Sequence, residues 1–243
     1  MVKLSCGDCL ELMKDIPDGS VDLILTDLPY GVTRCYWDIP IPFEPMWKEF
    51  HRVTKLNAAI VLHCMQPFTS KLISSNLKEF KYTWIWYKHY TRGFLLARRQ
   101  PLRTCEDIAV FYRKQCTYNP EMRRGKMMKK SHSSKQNGCY KEYKALHVVN
   151  DLYYPTQILD FKGVPSNHLN HPTEKPVPLL EYLIRTYTDP GETVLDCCMG
   201  SGSTGVAAVN QDRNYIGIEL EKSFFDIARA RIEAAEKEKG KTA

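Results

Sequence analysis

Short apolar runs separated by turn residues recur along the chain. Residues 21–26 form an apolar run rich in β-branched residues, and Pro29 prevents it from continuing, so a buried strand is predicted there. Residues 58–64 and 107–112 repeat the pattern. Residues 82–87 are apolar on both faces, as in a strand that is buried between layers of helices. Further strands are predicted over residues 2–4, 193–195 and 215–218.

Apolar residues at helical spacing lie between these runs. In the segment 177–187 they recur every three or four positions, and Pro176 and Pro178 suit the first turn of a helix. The alternation of strands with helices predicts an α/β fold. Helices are predicted over residues 9–14, 46–54, 68–80, 177–187, 206–210 and 224–238.

The C-terminal part of the chain holds too few strands to complete a sheet. Only one full strand–helix unit follows the glycine-rich turn 200–205, so the other strands must come from the N-terminal part. On this basis strand 2–4 continues the sheet beyond Glu219, and Asp8 lies at the next strand end. Asp27 is then expected at the adjacent strand end, because open α/β sheets place their chemistry at the carboxyl ends of strands.

Positive charge is concentrated in one segment. The 243-residue chain has a formal net charge of +6, whereas residues 113–144 hold ten Lys and Arg against two acids, so the rest is slightly acidic. On composition alone a solvated, poorly ordered loop is the favoured interpretation of this segment. Contact with a phosphate backbone requires the same concentration of basic residues.

The cysteines do not indicate a disulfide framework. Their number, nine, is odd and they are scattered, which is typical of a reducing compartment. Cys6 and Cys9 form a C-x-x-C pair that no second pair complements, and the spacing of Cys116, His132, Cys139 and His147 matches no zinc pattern. No metal site is therefore predicted. With no apolar run near 18 residues and no signal peptide, a cytoplasmic protein is expected.

Residues 27–30, which read DLPY, form a candidate catalytic motif at the end of strand 21–26. The Asp27 carboxylate and the Leu28 carbonyl can each accept a hydrogen bond from an exocyclic amine. Pro29 ends the strand, and Tyr30 offers an aromatic face for stacking, worth about 1–3 kcal/mol per base. The motif would suit the floor of a site for a flipped-out base. A strand followed by a proline turn with an N-capping Asp is the simpler alternative.

A second motif lies near the C-terminus. Residues 200–205 read GSGSTG between a strand and a helix, and Glu219 follows at the end of the next strand, which matches the dinucleotide-binding pattern. Residues 197–199 nevertheless separate Asp196 from the first glycine, and the Asp196 carboxylate would repel a pyrophosphate and attract an amine. S-adenosylmethionine, with its amine and ribose, fits better, and Glu219 would accept both ribose hydroxyls.

Four segments together resemble a known family: VLDCCMGSGSTG, YIGIELEK, LSCGDCLELMKDIPDGSVDLILTDLPYG and HPTEKP. They are similar to the amino-methylating DNA methyltransferases of the β arrangement, in which the catalytic motif comes first and the cofactor motif last. The resemblance implies a Rossmann-like, mostly parallel sheet with helices on both faces and a circularly permuted motif order. It also implies a catalytic domain of residues 1–113 and 166–243 and a target-recognition insert at 114–165.

The resemblance also implies roles for individual residues. Asp27, Leu28, Pro29 and Tyr30 would hold and stack the target base. The cofactor-binding residues would be Asp8 near the adenine, Thr173 and Lys175 near the methionine carboxylate, Asp196, Gly200, Gly202 and Ser203 around the methionine end, Glu219 at the ribose, and also Cys9. Contacts with DNA are expected from Arg123, Arg124, Lys126, Lys129 and Lys130. Two positions depart from the family pattern, since Leu28 replaces a second proline and Cys198 replaces an aromatic residue beside the cofactor.

The implied activity is direct transfer of a methyl group from S-adenosylmethionine to the N6 amino group of adenine in double-stranded DNA, after base flipping. Asp27 before x-P-Y favours adenine over N4 of cytosine as a family tendency. An N4-cytosine methyltransferase, transfer to RNA, and a DNA-binding protein with a vestigial cofactor fold are the alternatives. A homodimer, a restriction–modification context, and a bacterial or phage-infected cytoplasm are further expectations.

Overall fold

The computed structural model describes residues 1–33, 35–131, 147–164 and 174–242. The strands are β1 (Val2–Cys6), β2 (Val21–Asp27), β3 (Thr54–Cys64), β4 (Phe80–Arg92), β5 (Arg103–Phe111), β6 (Arg123–Ser131), β7 (His147–Tyr153), β8 (Ile158–Asp160), β9 (Thr193–Asp196) and β10 (Asn214–Glu219). The α-helices are α1 (Cys9–Leu12), α2 (Phe43–Val53), α3 (Phe68–Ser75), α4 (Val177–Tyr187), α5 (Ser203–Asn210) and α6 (Lys222–Thr242), and 3-10 turns cover Met13–Asp15 and Phe94–Leu96.

Eight strands form one sheet in the order β1-β10-β9-β2-β3-β5-β4-β8. All neighbouring pairs are parallel except those that involve β5, which runs antiparallel to β3 and to β4. The predicted α/β fold with a mostly parallel sheet is confirmed. The permuted order is confirmed as well, since strands from both ends of the chain alternate across the sheet.

The expected position of β2 is wrong. The strand β1 does extend the sheet beyond β10, but β2 pairs with β9 on the other side, with Leu23 opposite Val194. Asp27 therefore lies beside Asp196 and not beside Asp8. The reason is burial: every residue of β2 except the last is buried, which requires neighbours on both edges, whereas the partly exposed β1 suits an edge of the sheet.

Helices cover both faces of the sheet. Along β2 the buried side chains alternate, with Leu23 and Leu25 in one core cluster and Ile24 in the other. The first cluster includes residues of α4, α5 and α6, and the second includes residues of α2, α3 and the 3-10 turn after α1. Representative members are Leu183, Ala207 and Ile232 in the first cluster and Met13, Phe50 and Leu72 in the second.

Several predicted boundaries shift. The helix that starts at Phe68 ends at Ser75, because Asn76 adopts an extended φ of −148° and its side-chain amide donates to Glu79. The helix α5 begins three residues earlier than predicted, directly after Gly202, whose φ of +79° turns the chain into the helix. The short strand β8 was not predicted; its three residues pair with β4.

Residues 120–156 form a separate compact unit, whose described part consists of β6 and β7; residues 1–119 and 157–243 form the other unit. The two strands pair in antiparallel fashion, with Lys129 opposite Val149. Tyr153 fixes one end of the ladder, because its hydroxyl donates to the Lys126 carbonyl at 2.8 Å and its ring packs against Gly125. Residues 123–131, for which composition favoured a loop, therefore form a strand.

Within the described residues, no helix combines the length and the apolar character that a bilayer crossing requires.

The contact between α5 and α6 predicts a stability effect. A Cβ atom at Gly205 would collide with Ile232 Cδ1 and lie 2.7 Å from the ring of the buried Tyr215. We expect Gly205→Ala to lower the free energy of unfolding by about 1–3 kcal/mol, since overpacking displaces core side chains. Urea denaturation followed by circular dichroism measures this change.

The matched control is Gly240→Ala in the same pair of elements. A Cβ atom there meets no other atom within 4 Å, and alanine favours a helix over glycine. The control should leave the urea midpoint unchanged or raise it slightly. A Gly205→Ala chain with the wild-type midpoint would contradict the packing argument.

Candidate active site

The carboxyl ends of the parallel strands β1, β10, β9, β2 and β3 meet at one edge of the sheet. A cavity of about 820 Å³ opens at this edge. Its lining includes one acidic side chain from the end of each of four strands: Asp8 after β1, Asp27 in β2, Asp196 in β9 and Glu219 in β10. The topology thus brings together acids that are far apart in the sequence.

Both oxygens of the Asp27 carboxylate accept hydrogen bonds. Oδ1 accepts from the Tyr30 hydroxyl at 2.5 Å, and Oδ2 accepts from the Lys175 ammonium group. These partners fix the orientation of the carboxylate at the strand end. Each oxygen retains a lone pair, so a further donor from a ligand can still be accommodated.

Tyr30 and Phe68 stack, with ring centroids 5.0 Å apart and an angle of 29° between the planes. Tyr30 also lines the cavity, so its ring can offer an aromatic surface to a planar ligand. Burial and the neighbouring Asp27 raise the pKa of Tyr30 well above its ordinary value. The hydroxyl therefore stays protonated and acts as a donor to Asp27.

Leu28 contributes its side chain to the core. It is 4% exposed and belongs to the same cluster as Met46 and Phe68. A proline at this position would restrict the backbone through its ring, whereas Leu28 anchors the backbone through burial. The departure from the family pattern at this position thus leaves the carbonyl group on an anchored segment.

Lys175 lies at the centre of a buried charge network. It is 8% exposed, donates to Asp27 and approaches Glu106 Oε2 at 3.7 Å, while Glu106 accepts from Lys88 at 2.7 Å. Burial alone would raise the pKa of Glu106, but Lys175 and Lys88 lower it to about 2. For Lys175 burial lowers the pKa, and Asp27 and Glu106 more than offset this, so the net shift is upward.

Lys175 lines the cavity and contacts Asp27, so the expectation that it lies near the methionine carboxylate of the cofactor stays a prediction. Glu106 and Lys88 were missed by sequence reasoning, although each is a charged residue within or beside an apolar strand segment, which is a recognisable signal. Thr173 lies outside the described residues.

His63 lies on β3 directly opposite Asp27 in the strand register. It is 1% exposed, and neither ring nitrogen has a hydrogen-bond partner in the described part of the chain. Burial, together with the nearby Lys175, lowers the pKa of His63 to about 4. The imidazole is therefore neutral, and it packs edge-on against Trp86 with ring centroids 6.4 Å apart.

Asp196 is tied to β2 and to its own turn. Its Oδ1 accepts from the Thr26 hydroxyl at 2.7 Å and from the Cys198 amide at 3.2 Å. Burial raises the pKa of Asp196 to about 6, despite hydrogen bonds that favour the ionised form. A cation that enters the cavity would meet a buried acceptor with few competing water molecules.

Glu219 closes the glycine-rich turn. Its Oε2 accepts from the Gly200 amide at 2.8 Å, and its Oε1 accepts from the Glu221 amide at 2.9 Å. Each oxygen keeps a lone pair, so it can accept one further hydrogen bond from a ligand. A Cβ atom at Gly202 would lie 2.9 Å from Ala228 Cα, so only glycine permits this approach of the turn to α6.

Asp8 caps the helix α1. Its Oδ1 accepts from the amides of Leu10 and Glu11 at 2.8 and 3.3 Å, which leaves Oδ2 for another donor.

Ser203, at the start of α5, lies beside an ion pair. Arg231 donates to Glu174 at 2.7 Å and to the Ser203 hydroxyl at 3.4 Å. Asp8 and Ser203 both line the cavity.

A loop after Tyr30 is organised by a residue that sequence reasoning missed. The Asp38 carboxylate accepts from the backbone amides of Gly31, Val32 and Thr33 at 2.7 to 3.0 Å. Burial would raise the pKa of Asp38, but these amides lower it overall. An acid within a proline-rich loop directly after a candidate motif is the signal that could have revealed it.

The cysteines are arranged differently from the pairs considered in the sequence. Cys9 lies close to Cys197 and Cys198, and their sulfur atoms are all within 4.8 Å of one another. Hydrogen bonds from these two thiols lower the pKa of Cys9 to about 4. Cys6 instead approaches the Leu220 carbonyl. Of the other four-residue set, residues 132 and 139 lie outside the described residues.

Comparison with known proteins assigns the chain to a family. The family model described as "DNA methylase" matches residues 21–230. A type II methyltransferase, M.HpaI from Haemophilus parainfluenzae, is 26% identical over 96% of this chain and 74% of its own length. The DNA adenine methyltransferase YhdJ of Escherichia coli K12 is 27% identical over 94% of this chain and 82% of its own length.

Solved structures show the same architecture. The M1.HpyAVI–SAM complex has a TM-score of 0.64 at 25% identity and covers 95% of this chain and 100% of that protein. The cytosine-N4-specific PvuII DNA methyltransferase has a TM-score of 0.67 at 16% identity over 97% and 91% of the two chains. The second similarity supports the fold alone.

Proposed function

Because the chain belongs to the DNA methylase family, we propose that it transfers a methyl group from S-adenosylmethionine to the N6 amino group of adenine in double-stranded DNA. The observation that carries this proposal is the position of Asp27, which lies at a strand end beside Asp196 and opens into the same cavity. The two carboxylates offer adjacent sites for two amino groups, one of the target base and one of the cofactor.

The cavity fits S-adenosylmethionine by the chemistry of its acids. The cofactor carries an ammonium group, two ribose hydroxyls and an adenine amine, and Asp196, Glu219 and Asp8 supply one acceptor for each of these. A volume of about 820 Å³ lies within the range of about 300–1,000 Å³ that is usual for small-molecule pockets. When bound, the cofactor supplies an electrophilic methyl group on a sulfonium centre.

Asp27 and the Leu28 carbonyl orient the target amine. Each accepts one N–H of the amine, which directs the nitrogen lone pair towards the methyl group for an in-line transfer. The carbon–sulfur bond breaks as the carbon–nitrogen bond forms, and the amine then loses one proton, for which Asp27 is the nearest base. Tyr30 stacks on the base and compensates part of the cost of flipping it out of the duplex.

Lys175 acts as a positioning residue in this proposal. Its ammonium group holds Asp27 and lies between two carboxylates, Asp27 and Glu106, which would otherwise repel each other in a buried site. By donating to Oδ2, Lys175 fixes the orientation in which the Asp27 carboxylate accepts the target amine.

Adenine is the proposed base, and N4 of cytosine is the alternative. The relative YhdJ is named as an adenine methyltransferase, and the N4-cytosine enzyme PvuII shares the fold. The acids Asp27, Asp196 and Glu219 all line the cavity, which argues against a DNA-binding protein with a vestigial cofactor fold.

We further propose that the protein acts in the bacterial cytoplasm as the modification enzyme of a restriction–modification pair. The homodimer remains a prediction, which analytical ultracentrifugation would test.

The unit formed by β6 and β7 is the proposed DNA contact and target-recognition element. Arg123, Arg124, Lys126 and Lys129 are exposed along β6, and the side chain of Lys130 is outside what the structure describes. Extended, exposed basic residues suit contacts with successive phosphates. The boundaries proposed from the sequence, 114–165, enclose this unit.

Asp27→Ala should abolish methyl transfer while cofactor binding persists, since the variant removes the amine acceptor and leaves Asp196 and Glu219 intact. Transfer from radiolabelled S-adenosylmethionine to unmodified duplex DNA measures activity, and calorimetry measures cofactor binding. Mass spectrometry of the product nucleosides identifies the base. Full activity of Asp27→Ala would refute the catalytic assignment, and N4-methyldeoxycytidine as the product would favour the alternative base.

Lys175→Met should lower the turnover number by at least about tenfold and leave the dissociation constant of the cofactor unchanged. The reason is that Asp27 loses the donor that orients its Oδ2. Steady-state assays of methyl transfer measure the turnover number, and calorimetry measures cofactor binding.

Lys175→Arg serves as the matched control, because it retains the positive charge and should recover part of the turnover number. If Lys175 binds the cofactor carboxylate instead, Lys175→Met will mainly weaken cofactor binding. That result would return the residue to the role implied by the family resemblance.

For the DNA contact, we expect the double variant Lys126→Gln and Lys129→Gln to weaken DNA binding. The slope of the logarithm of the binding constant against the logarithm of salt concentration should fall by roughly 0.9 for each phosphate that the variant no longer neutralises. Fluorescence anisotropy over a range of salt concentrations measures the slope. Lys237→Gln with Lys241→Gln on α6 removes the same charge and should leave the slope unchanged. If both double variants lower the slope equally, the effect comes from the net charge of the protein and not from a contact of β6 with DNA.

A further inference from the structure

Three cysteines from distant parts of the sequence meet at the carboxyl edge of the sheet. Cys9 is the first residue of α1, directly after the turn that follows β1, whereas Cys197 and Cys198 directly follow β9. The strand β10 lies between β1 and β9, so the three side chains converge across its end. Their sulfur atoms lie within 4.8 Å of one another, and all three residues line the cavity.

We propose that Cys9, Cys197 and Cys198 form a binding site for a thiophilic divalent cation of the zinc type. Zinc–sulfur bonds of about 2.3 Å in tetrahedral geometry place ligand sulfurs roughly 3.8 Å apart, so the three sulfurs need to approach one another by at most about 1 Å. Sulfur ligands select zinc, cadmium or copper(I) over magnesium and calcium, which require oxygen ligands.

The surroundings suit an ion that enters from solvent. Cys197 is 2% exposed, and Cys9 and Cys198 are partly buried, so the site is shielded on one side and open to the cavity on the other. Three protein ligands leave a fourth tetrahedral position for water on the open side. On binding, any of the three sulfurs that still carries a proton releases it to solvent, and no oxidant is involved, which distinguishes this site from a disulfide.

The position of Cys9 also excludes the C-x-x-C pair as the metal ligand set. Cys6 is exposed and its sulfur lies 3.9 Å from the Leu220 carbonyl oxygen, whereas the sulfur of Cys9 is close to the two cysteines after β9. The relevant pairing is thus between residues almost 190 positions apart, which no spacing pattern in the sequence reveals. Cys198 occupies the place of the family's usual aromatic residue, so this chain has a sulfur ligand there.

The test is a cadmium titration of the full chain under anaerobic conditions, with all thiols reduced and counted beforehand. Cadmium bound by thiolates gives an ultraviolet charge-transfer band, which requires neither cofactor nor DNA. We expect a band that saturates at one ion per chain. Single variants Cys9→Ser and Cys198→Ser should each weaken binding by at least about tenfold, since even residues that only support metal ligands contribute about 10- to 100-fold.

Cys105→Ser and Cys139→Ser are the controls, because Cys105 is exposed elsewhere and Cys139 belongs to the basic segment. Both should retain the band and the affinity. A band that persists unchanged in Cys9→Ser and Cys198→Ser, or that disappears in either control, would overturn the proposal. Competition with zinc for the same band supports zinc as an occupant. Circular dichroism of each variant separates loss of binding from loss of folding.

Discussion

The pairing of β2 with β9 is the constraint on which the site depends. It places Leu23 opposite Val194 and Ile24 opposite Leu195, and so brings the ends of the two strands together. Thr26 then donates to Asp196 at 2.7 Å, which links the strands at their carboxyl edge. Since side chains alternate along a strand, a shift of one residue in this register would turn Asp27 away from the cavity. The apolar residues of β2 and β9 therefore determine the geometry of the proposed active site.

The charges around Asp27 are compatible with burial because they alternate in sign. Asp27, Lys175, Glu106 and Lys88 form a series of neighbours in which each charge faces an opposite one. A single buried charge would cost several kcal/mol, and removal of one partner from such a pair leaves that cost uncompensated. The neutral state of His63, which lies opposite Asp27 on β3, is consistent with this pattern, since a further cation there would be repelled by Lys175. The network thus places these four charged side chains together in the lining of the cavity.

Local patterns predicted most of the secondary structure and the fold class, because apolar periodicity reflects which faces are buried. The order of motifs also predicted that β1 lies beyond β10. The neighbour of β2 could not be predicted in this way. An apolar strand can pair with any other apolar strand, and which pair forms depends on the packing of the whole sheet. The partners of the charged side chains could not be predicted from the sequence either. Lys175 and Asp27 are 148 positions apart, and their contact depends on the path of the backbone. The cluster of three cysteines was missed for the same reason.

The separation of paired strands along the chain also bears on how the protein is made. The strand β2 leaves the ribosome early, whereas its partner β9 begins 166 residues after Asp27. At translation rates of about 5–20 residues per second, this delay is on the order of ten seconds. During that time β2 can pair with β3 but has an unpaired apolar edge, which is prone to association with other chains. Nascent chains of this topology should therefore depend on chaperones that cover a strand edge until the C-terminal strands arrive.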